Sequence, residues 1–154
     1  MYQKTISKKI TFKGKGLHTG IFTNLSINPT LKSNTGIIFR YFFDKEHIDI
    51  KADIKNIFST NRCTSLISNC KNYKVHTVEH ILSALYGLEI DNAIIELDNT
   101  EVPILDGSAK MYVDKIKSVG IKEFKEIKQY YIIKDKIKIN GKNDSFIEVK
   151  PYDG

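Results

Sequence analysis

The strongest chemical signal in the sequence is the run HTVEH, residues 76–80, which places a glutamate between two histidines. If one helix contains the whole run, His76 and His80 share a face and could both bind zinc, with Glu79 as general base. This H-x-x-E-H order is that of the inverted zinc peptidases. That interpretation requires His76 to lie inside the helix.

The residues within the motif favour a helix that begins after His76. Thr77 is the best N-cap candidate, because its hydroxyl can accept a hydrogen bond from an amide of the first turn. Glu79 and His80 then fall in that first turn, where the helix dipole favours a carboxylate. Adjacent helical residues point about 100° apart, so one can bind a metal while its neighbour contacts water. The alternative is a surface acid and histidine without a function.

The elements that must position this pair predict an α+β fold, with a small mixed or antiparallel sheet and two helices packed on one face. Apolar residues at helical spacing predict one helix within 75–88, ending near Gly87. Ser108 is the predicted N-cap of a second helix, 109–119, that stops at Gly120. Alternation and β-branched residues predict strands at 5–12, 22–28, 36–43, 48–57 and 62–67, and the apolar run AIIEL predicts a central strand at 93–97.

The end of the chain predicts the start of a second domain. After the charged stretch KEFKEIK, strands are predicted at 130–139 and 145–149, around the hairpin signal Asn140-Gly141. This tail resembles the beginning of the chain, since both have a strand, a glycine turn, a strand and a proline. The weak repeat predicts a first α+β domain, 1–127, and the opening hairpin of a truncated second copy, 128–154.

The composition predicts a soluble cytoplasmic protein with a real hydrophobic core. Of the 154 residues, 41% are hydrophobic, and no apolar run approaches the about 20 residues that cross a bilayer. The basic N-terminus lacks the continuous apolar stretch of a secretory signal. Cys63 and Cys70 are too few for a disulfide framework and lack CxxC spacing, so they are predicted to be free thiols.

The net charge of +6 comes from lysines that are scattered rather than clustered. Arginine occurs only at Arg40 and Arg62, and no recognition helix or ribonucleoprotein motif is present. The sequence therefore predicts no nucleic-acid partner. The charge could instead attract an anionic substrate such as a nucleotide-sugar.

Several runs together make the chain resemble the UDP-3-O-acyl-N-acetylglucosamine deacetylases, zinc enzymes of lipid A biosynthesis in Gram-negative bacteria. The resemblance covers nearly the whole chain, in order and at similar spacing. The matching runs are KGKGLHTG (13–20), NTGIIFR (34–40), the run 59–64, HTVEHILSALYGLEIDNAIIEL (76–97), EVPILDGSA (101–109) and EVKPYDG (148–154).

The resemblance implies a duplicated α+β fold with the active site between its two halves. It implies that His80 is a zinc ligand, that Glu79 is the general base acting on a zinc-activated water, and that His76 is not a ligand. It also implies that Cys63 and Thr64 line the approach to the zinc, whereas His18 in GLHTG belongs to a structural turn.

The family's other two zinc ligands and its proton-donating histidine belong to a second half. The substrate UDP-3-O-acyl-N-acetylglucosamine and Zn²⁺ are therefore expected to need a C-terminal half for a complete site, and the isolated chain is expected to be inactive. Two alternatives stay open at this point: a zinc peptidase-like module using His76 and His80, and a non-catalytic domain or remnant of a split gene.

Overall fold

The computed structural model describes residues 1–43, 46–70 and 72–152. The last two residues of the predicted 128–154 segment lie outside this range. The strands before the first helix are β1 Tyr2–Ile6, β2 Ile10–Lys15, β3 Phe22–Asn28, β4 Ile37–Phe43, β5 Glu46–Lys51, β6 Ile57–Ser59, β7 Ser65–Ile67 and β8 Lys74–Val75. The remaining elements are α1 Glu79–Gly87, β9 Ala93–Leu97, α2 Lys110–Val119, β10 Ile121–Ile127, β11 Ile137–Asn140 and β12 Phe146–Val149.

The main sheet is mixed and has the strand order β2-β3-β9-β4-β5. The central strand, β9, is antiparallel to β3 and parallel to β4, and it has the predicted bounds 93–97. Alternate residues such as Leu25, Ile27 and Ile95 are buried on the same face of the sheet. The sequence prediction of a small mixed sheet with a central AIIEL strand is confirmed.

Two helices complete the core and confirm the α+β fold. α1 buries Ile81, Ala84 and Leu85, and α2 buries Tyr112 and Ile116. These residues and the inner face of the sheet form one apolar cluster. The Tyr112 hydroxyl reaches the end of the core and donates to the carbonyl of Pro103 over 2.6 Å, so its polar group is satisfied where it is buried. No helix in the described ranges is long and apolar enough to span a membrane.

The predicted strand near the chain's beginning is wrong, and a strand near its end was not predicted, for the same reason. The predicted strand 5–12 is broken after Ile6, where the Ser7 amide donates to the carbonyl of Gly120 over 2.9 Å. β1 therefore leaves the main sheet and pairs with β10, which contains all but the last residue of the charged stretch KEFKEIK. Only Phe124 is half-buried in β10, so this strand has no apolar alternation to reveal it.

The predicted strands 48–57 and 62–67 are each shorter in the structure. The first is interrupted by a 3₁₀ turn, Ile54–Asn56, which Asp53 caps by accepting from the amide of Lys55. Of the predicted strand 62–67, only β7 is present. Arg62 has the left-handed value φ 65°, which is not compatible with an extended strand. β7 lies between β6 and β8 in a separate three-stranded sheet beside the start of α1.

The predicted hairpin near the end of the chain is present, with different bounds. Within the described ranges, β11 and β12 pair only with each other, and residues 130–136 are not a strand, contrary to the prediction of 130–139. The turn spans residues 141–145, because Asn143 and Asp144 both adopt positive φ and the Gly141 amide donates to Ser145. The division into domains 1–127 and 128–154 stays a prediction.

Replacing Thr23 by valine is expected to raise the free energy of unfolding by about 1 kcal/mol. The Thr23 hydroxyl is buried and has no hydrogen-bond partner in the described part of the chain, and valine fills the same volume without a polar group. Urea unfolding measures the change. Thr30→Val is the control. The Thr30 hydroxyl donates to the carbonyl of Lys32 over 3.0 Å, so its removal should lower the free energy of unfolding. Equal losses in both variants would contradict the argument.

Candidate active site

Glu79 is the first residue of α1, and the helix begins later than its sequence suggested. Val78 occupies the N-cap position without a side-chain cap, so the prediction of Thr77 as N-cap is wrong. Thr77 adopts φ 60°, and its hydroxyl donates to Glu101 Oε1 over 2.8 Å instead of accepting from an amide of the helix. A distant carboxylate has therefore replaced the local amide as the partner of the Thr77 hydroxyl.

The Glu79 carboxylate is held by the segment that precedes β7. Its Oε2 accepts a hydrogen bond of 3.0 Å from the Thr64 amide, and the Thr64 carbonyl accepts one of 3.2 Å from the Val78 amide. The second oxygen, Oε1, has no hydrogen-bond partner among the described residues. A half-buried carboxylate with one fixed oxygen and one available oxygen can accept a proton from a water molecule.

His80 follows Glu79 in the first turn and is half-buried. Within the described ranges its imidazole makes no hydrogen bond or ion pair, so a ring nitrogen is available to a metal ion. The same ranges contain no group of three or more His, Cys, Asp or Glu side chains placed to hold a metal. The chain thus offers one candidate ligand next to one candidate base.

His76 lies outside α1, as the capping argument predicted. It forms a β-bridge with Glu101, and its Nδ1 lies 2.8 Å from the Ser65 hydroxyl. Burial lowers its pKa, and the nearby Glu101 carboxylate partly opposes this shift. The peptidase-like alternative requires His76 and His80 on one helix, so the structure contradicts it.

Cys63 and Thr64 lie beside the candidate base. Thr64 contacts Glu79 through its backbone, and the half-buried Cys63 places its sulfur 3.5 Å from the Ser65 hydroxyl. Both cysteines, Cys63 and Cys70, are free thiols, as predicted. The roles of Cys63 and Thr64 toward a substrate stay predictions.

Glu101 is a member of this site that the sequence analysis did not identify. Its carboxylate is buried, and it accepts hydrogen bonds from the His18 amide (3.0 Å), the Thr19 amide (2.8 Å) and the Thr77 hydroxyl (2.8 Å). Burial alone would raise the pKa of Glu101, but the hydrogen bonds to its charged form outweigh burial and hold the pKa at about 2. Glu101 is the first residue of the EVPILDGSA run, but that run does not signal this role, because the partners of Glu101 are far away in sequence.

The GLHTG run, residues 16–20, forms the predicted turn. The Gly20 amide donates to the Gly16 carbonyl over 3.1 Å, and Gly20 adopts φ 67°. A Cβ atom at Gly16 would lie 2.3 Å from Glu101 Oε2, so only glycine permits this approach. The turn is therefore built against Glu101, next to the start of α1.

The chain as a whole is similar to known proteins of one family. The family profile described as UDP-3-O-acyl N-acetylglycosamine deacetylase matches residues 3–154. The UDP-3-O-acyl-N-acetylglucosamine deacetylases of Pseudoalteromonas atlantica and Idiomarina loihiensis are each 41% identical over 152 residues, which are 99% of this chain and 49% of theirs. The relative of that name from Blochmanniella floridana is 39% identical over 152 residues. The chain spans about half the length of the curated relatives it matches.

Proposed function

The chain belongs to the UDP-3-O-acyl N-acetylglycosamine deacetylase family, and we propose that it supplies the amino-terminal half of a zinc-dependent deacetylase. The proposed substrate is UDP-3-O-acyl-N-acetylglucosamine, whose N-acetyl group is removed during lipid A biosynthesis in the cytoplasm. The observation that carries the proposal is the Glu79 carboxylate, fixed by the Thr64 amide at the start of α1 beside the imidazole of His80, which has no partner among the described residues. A carboxylate and a histidine in this relation are the parts that a metal-assisted hydrolase needs from one helix.

Zinc fits the donors of this chain as one part of a site. His80 would hold the ion, and catalytic zinc sites normally use three protein ligands. The other ligands would come from the further length that the relatives carry. When bound, zinc would polarise the acetamide carbonyl as a Lewis acid.

Glu79 would act as the general base on the attacking water. Oε1, which has no partner in the described part of the chain, accepts the proton, while the Thr64 amide keeps Oε2 in place. The water oxygen bonds to the acetamide carbon, and the carbon–nitrogen bond breaks with its electron pair going to nitrogen. The amine would take its proton from the histidine expected in the second half, and Glu79 would release the proton it accepted to solvent as acetate leaves. Cys63 and Thr64 would border the substrate on this side.

Reconstitution from two parts tests the proposal. We would mix this chain with the carboxy-terminal half of the Pseudoalteromonas atlantica relative and measure acetate release from UDP-3-O-acyl-N-acetylglucosamine with zinc present. Release is expected from the complex and from neither part alone. A complex that co-elutes on size exclusion and releases no acetate would contradict the proposal and favour the non-catalytic alternative.

The isolated chain is expected to bind zinc weakly and to have no deacetylase activity. His80 and Glu79 give too few ligands for a closed site, because the described residues contain no group of three metal-binding side chains. Isothermal titration with Zn²⁺ measures the affinity, and His80→Ala is the matched variant. Tight binding that His80→Ala abolishes, or turnover near that of the reconstituted enzyme, would show that this expectation is wrong.

A further inference from the structure

We infer that Glu101 is the positioning residue of this site, which fixes the 16–20 loop and the start of α1 in one arrangement. This role rests on the proposed function, because the groups that Glu101 positions are Glu79, His80 and the loop residue His18. Glu101 itself would not contact the substrate or the metal ion.

The first observation is that hydrogen bonds stabilise the buried charge of Glu101. Oε1 accepts from the His18 amide and the Thr77 hydroxyl, and Oε2 accepts from the Thr19 amide. Among the described residues, no lysine or arginine forms an ion pair with Glu101. The buried charge is thus stabilised only by donors from two separate segments, and those donors converge only when both segments are in place.

The second observation links Glu101 to the candidate base. Thr77 adopts φ 60°, a left-handed conformation that is strained for a β-branched residue. The Glu101 hydrogen bond and the backbone bond from His76 to Thr100 hold it there. Because Thr77 is joined to Val78, and the Val78 amide binds the Thr64 carbonyl, movement of Thr77 would disturb the Thr64–Glu79 contact.

The third observation places His18 at the same site. The 16–20 loop approaches Glu101 so closely that Gly16 has no room for a side chain. The His18 amide donates to the same Glu101 that forms a β-bridge with His76. Glu101 therefore connects the GLHTG turn to the HTVEH segment, two runs that are distant in sequence.

Amide chemical shifts of the 154-residue chain distinguish positioning from stabilisation. The Thr64 amide proton is sensitive to its hydrogen bond with the Glu79 carboxylate. Glu101→Gln keeps the side-chain volume but turns an NH₂ group toward the backbone donors. If Thr77 then moves, the Thr64–Glu79 hydrogen bond weakens, and we expect the Thr64 amide proton to shift upfield. Glu96→Gln is the matched control, because Glu96 accepts from the Ser26 hydroxyl on the main sheet and should leave Thr64 unchanged.

Thr77→Val is the second variant and decides the question if Glu101→Gln does not fold. It removes one hydroxyl without changing shape, and the same upfield shift of Thr64 is expected. A folded Glu101→Gln or Thr77→Val chain in which Thr64 moves no more than in Glu96→Gln would overturn the inference.

The reconstituted enzyme supplies the second measurement. Both variants are expected to lower kcat by up to about 100-fold, which is the loss that a misplaced group can cause. KM is expected to change little. A loss confined to KM would overturn the positioning role. An inactive wild-type complex would contradict the proposed function instead, and the Thr64 shifts would still decide the role of Glu101.

Discussion

Replacing Glu79 by glutamine in the reconstituted enzyme is expected to lower kcat by a factor of about 10² to 10⁴, with KM close to the wild-type value. The amide oxygen of glutamine can still accept from the Thr64 amide, so the start of α1 should stay in place. The side chain can no longer take a proton from water. Steady-state acetate release from UDP-3-O-acyl-N-acetylglucosamine measures both constants.

Glu89→Gln is the control for this prediction. Glu89 lies just beyond the other end of α1, is exposed, and pairs with Lys4 over 2.5 Å. Its replacement removes a carboxylate from the same region without touching the candidate site, so kcat should stay near wild type. An unchanged kcat in Glu79→Gln would show that another group is the base.

The sequence predicted those elements whose signals are local. Strands 22–28 and 93–97 have the predicted bounds, because alternating or continuous apolar residues report directly on burial. β10 was missed because its position depends on pairing with β1 at the opposite end of the chain. An exposed, charged strand carries no pattern that distinguishes it from a loop.

The candidate site shows the same division between local and distant information. Glu79 and His80 were identified because the HTVEH run is compact and matches known zinc enzymes. Thr77 was misassigned because its hydroxyl bonds to Glu101, 24 residues further along, and not to its own helix. Glu101 was missed because two of its donors come from a loop more than 80 residues earlier in the chain.

Glu101 should also make the fold sensitive to acid. Its pKa is about 2 in the folded chain, below the ordinary value of 4.5, so the folded state binds this proton less readily than the unfolded state. The stabilisation is therefore complete above about pH 4.5 and is lost as the pH falls toward 2. The gap between the two pKa values corresponds to on the order of 3 kcal/mol of unfolding free energy.

Urea unfolding of the wild type and Glu101→Gln between pH 7 and pH 2 measures this contribution. At pH 7 the variant should be less stable by on the order of 3 kcal/mol, because glutamine gains nothing from ionisation. The two curves should converge near pH 2, where the wild-type carboxyl is also becoming neutral. Thr77→Val should lie between them, since it removes one of the donors that lower the pKa of Glu101. A difference that stays constant with pH would mean that Glu101 acts through its shape, and not through the charge that draws the two segments together.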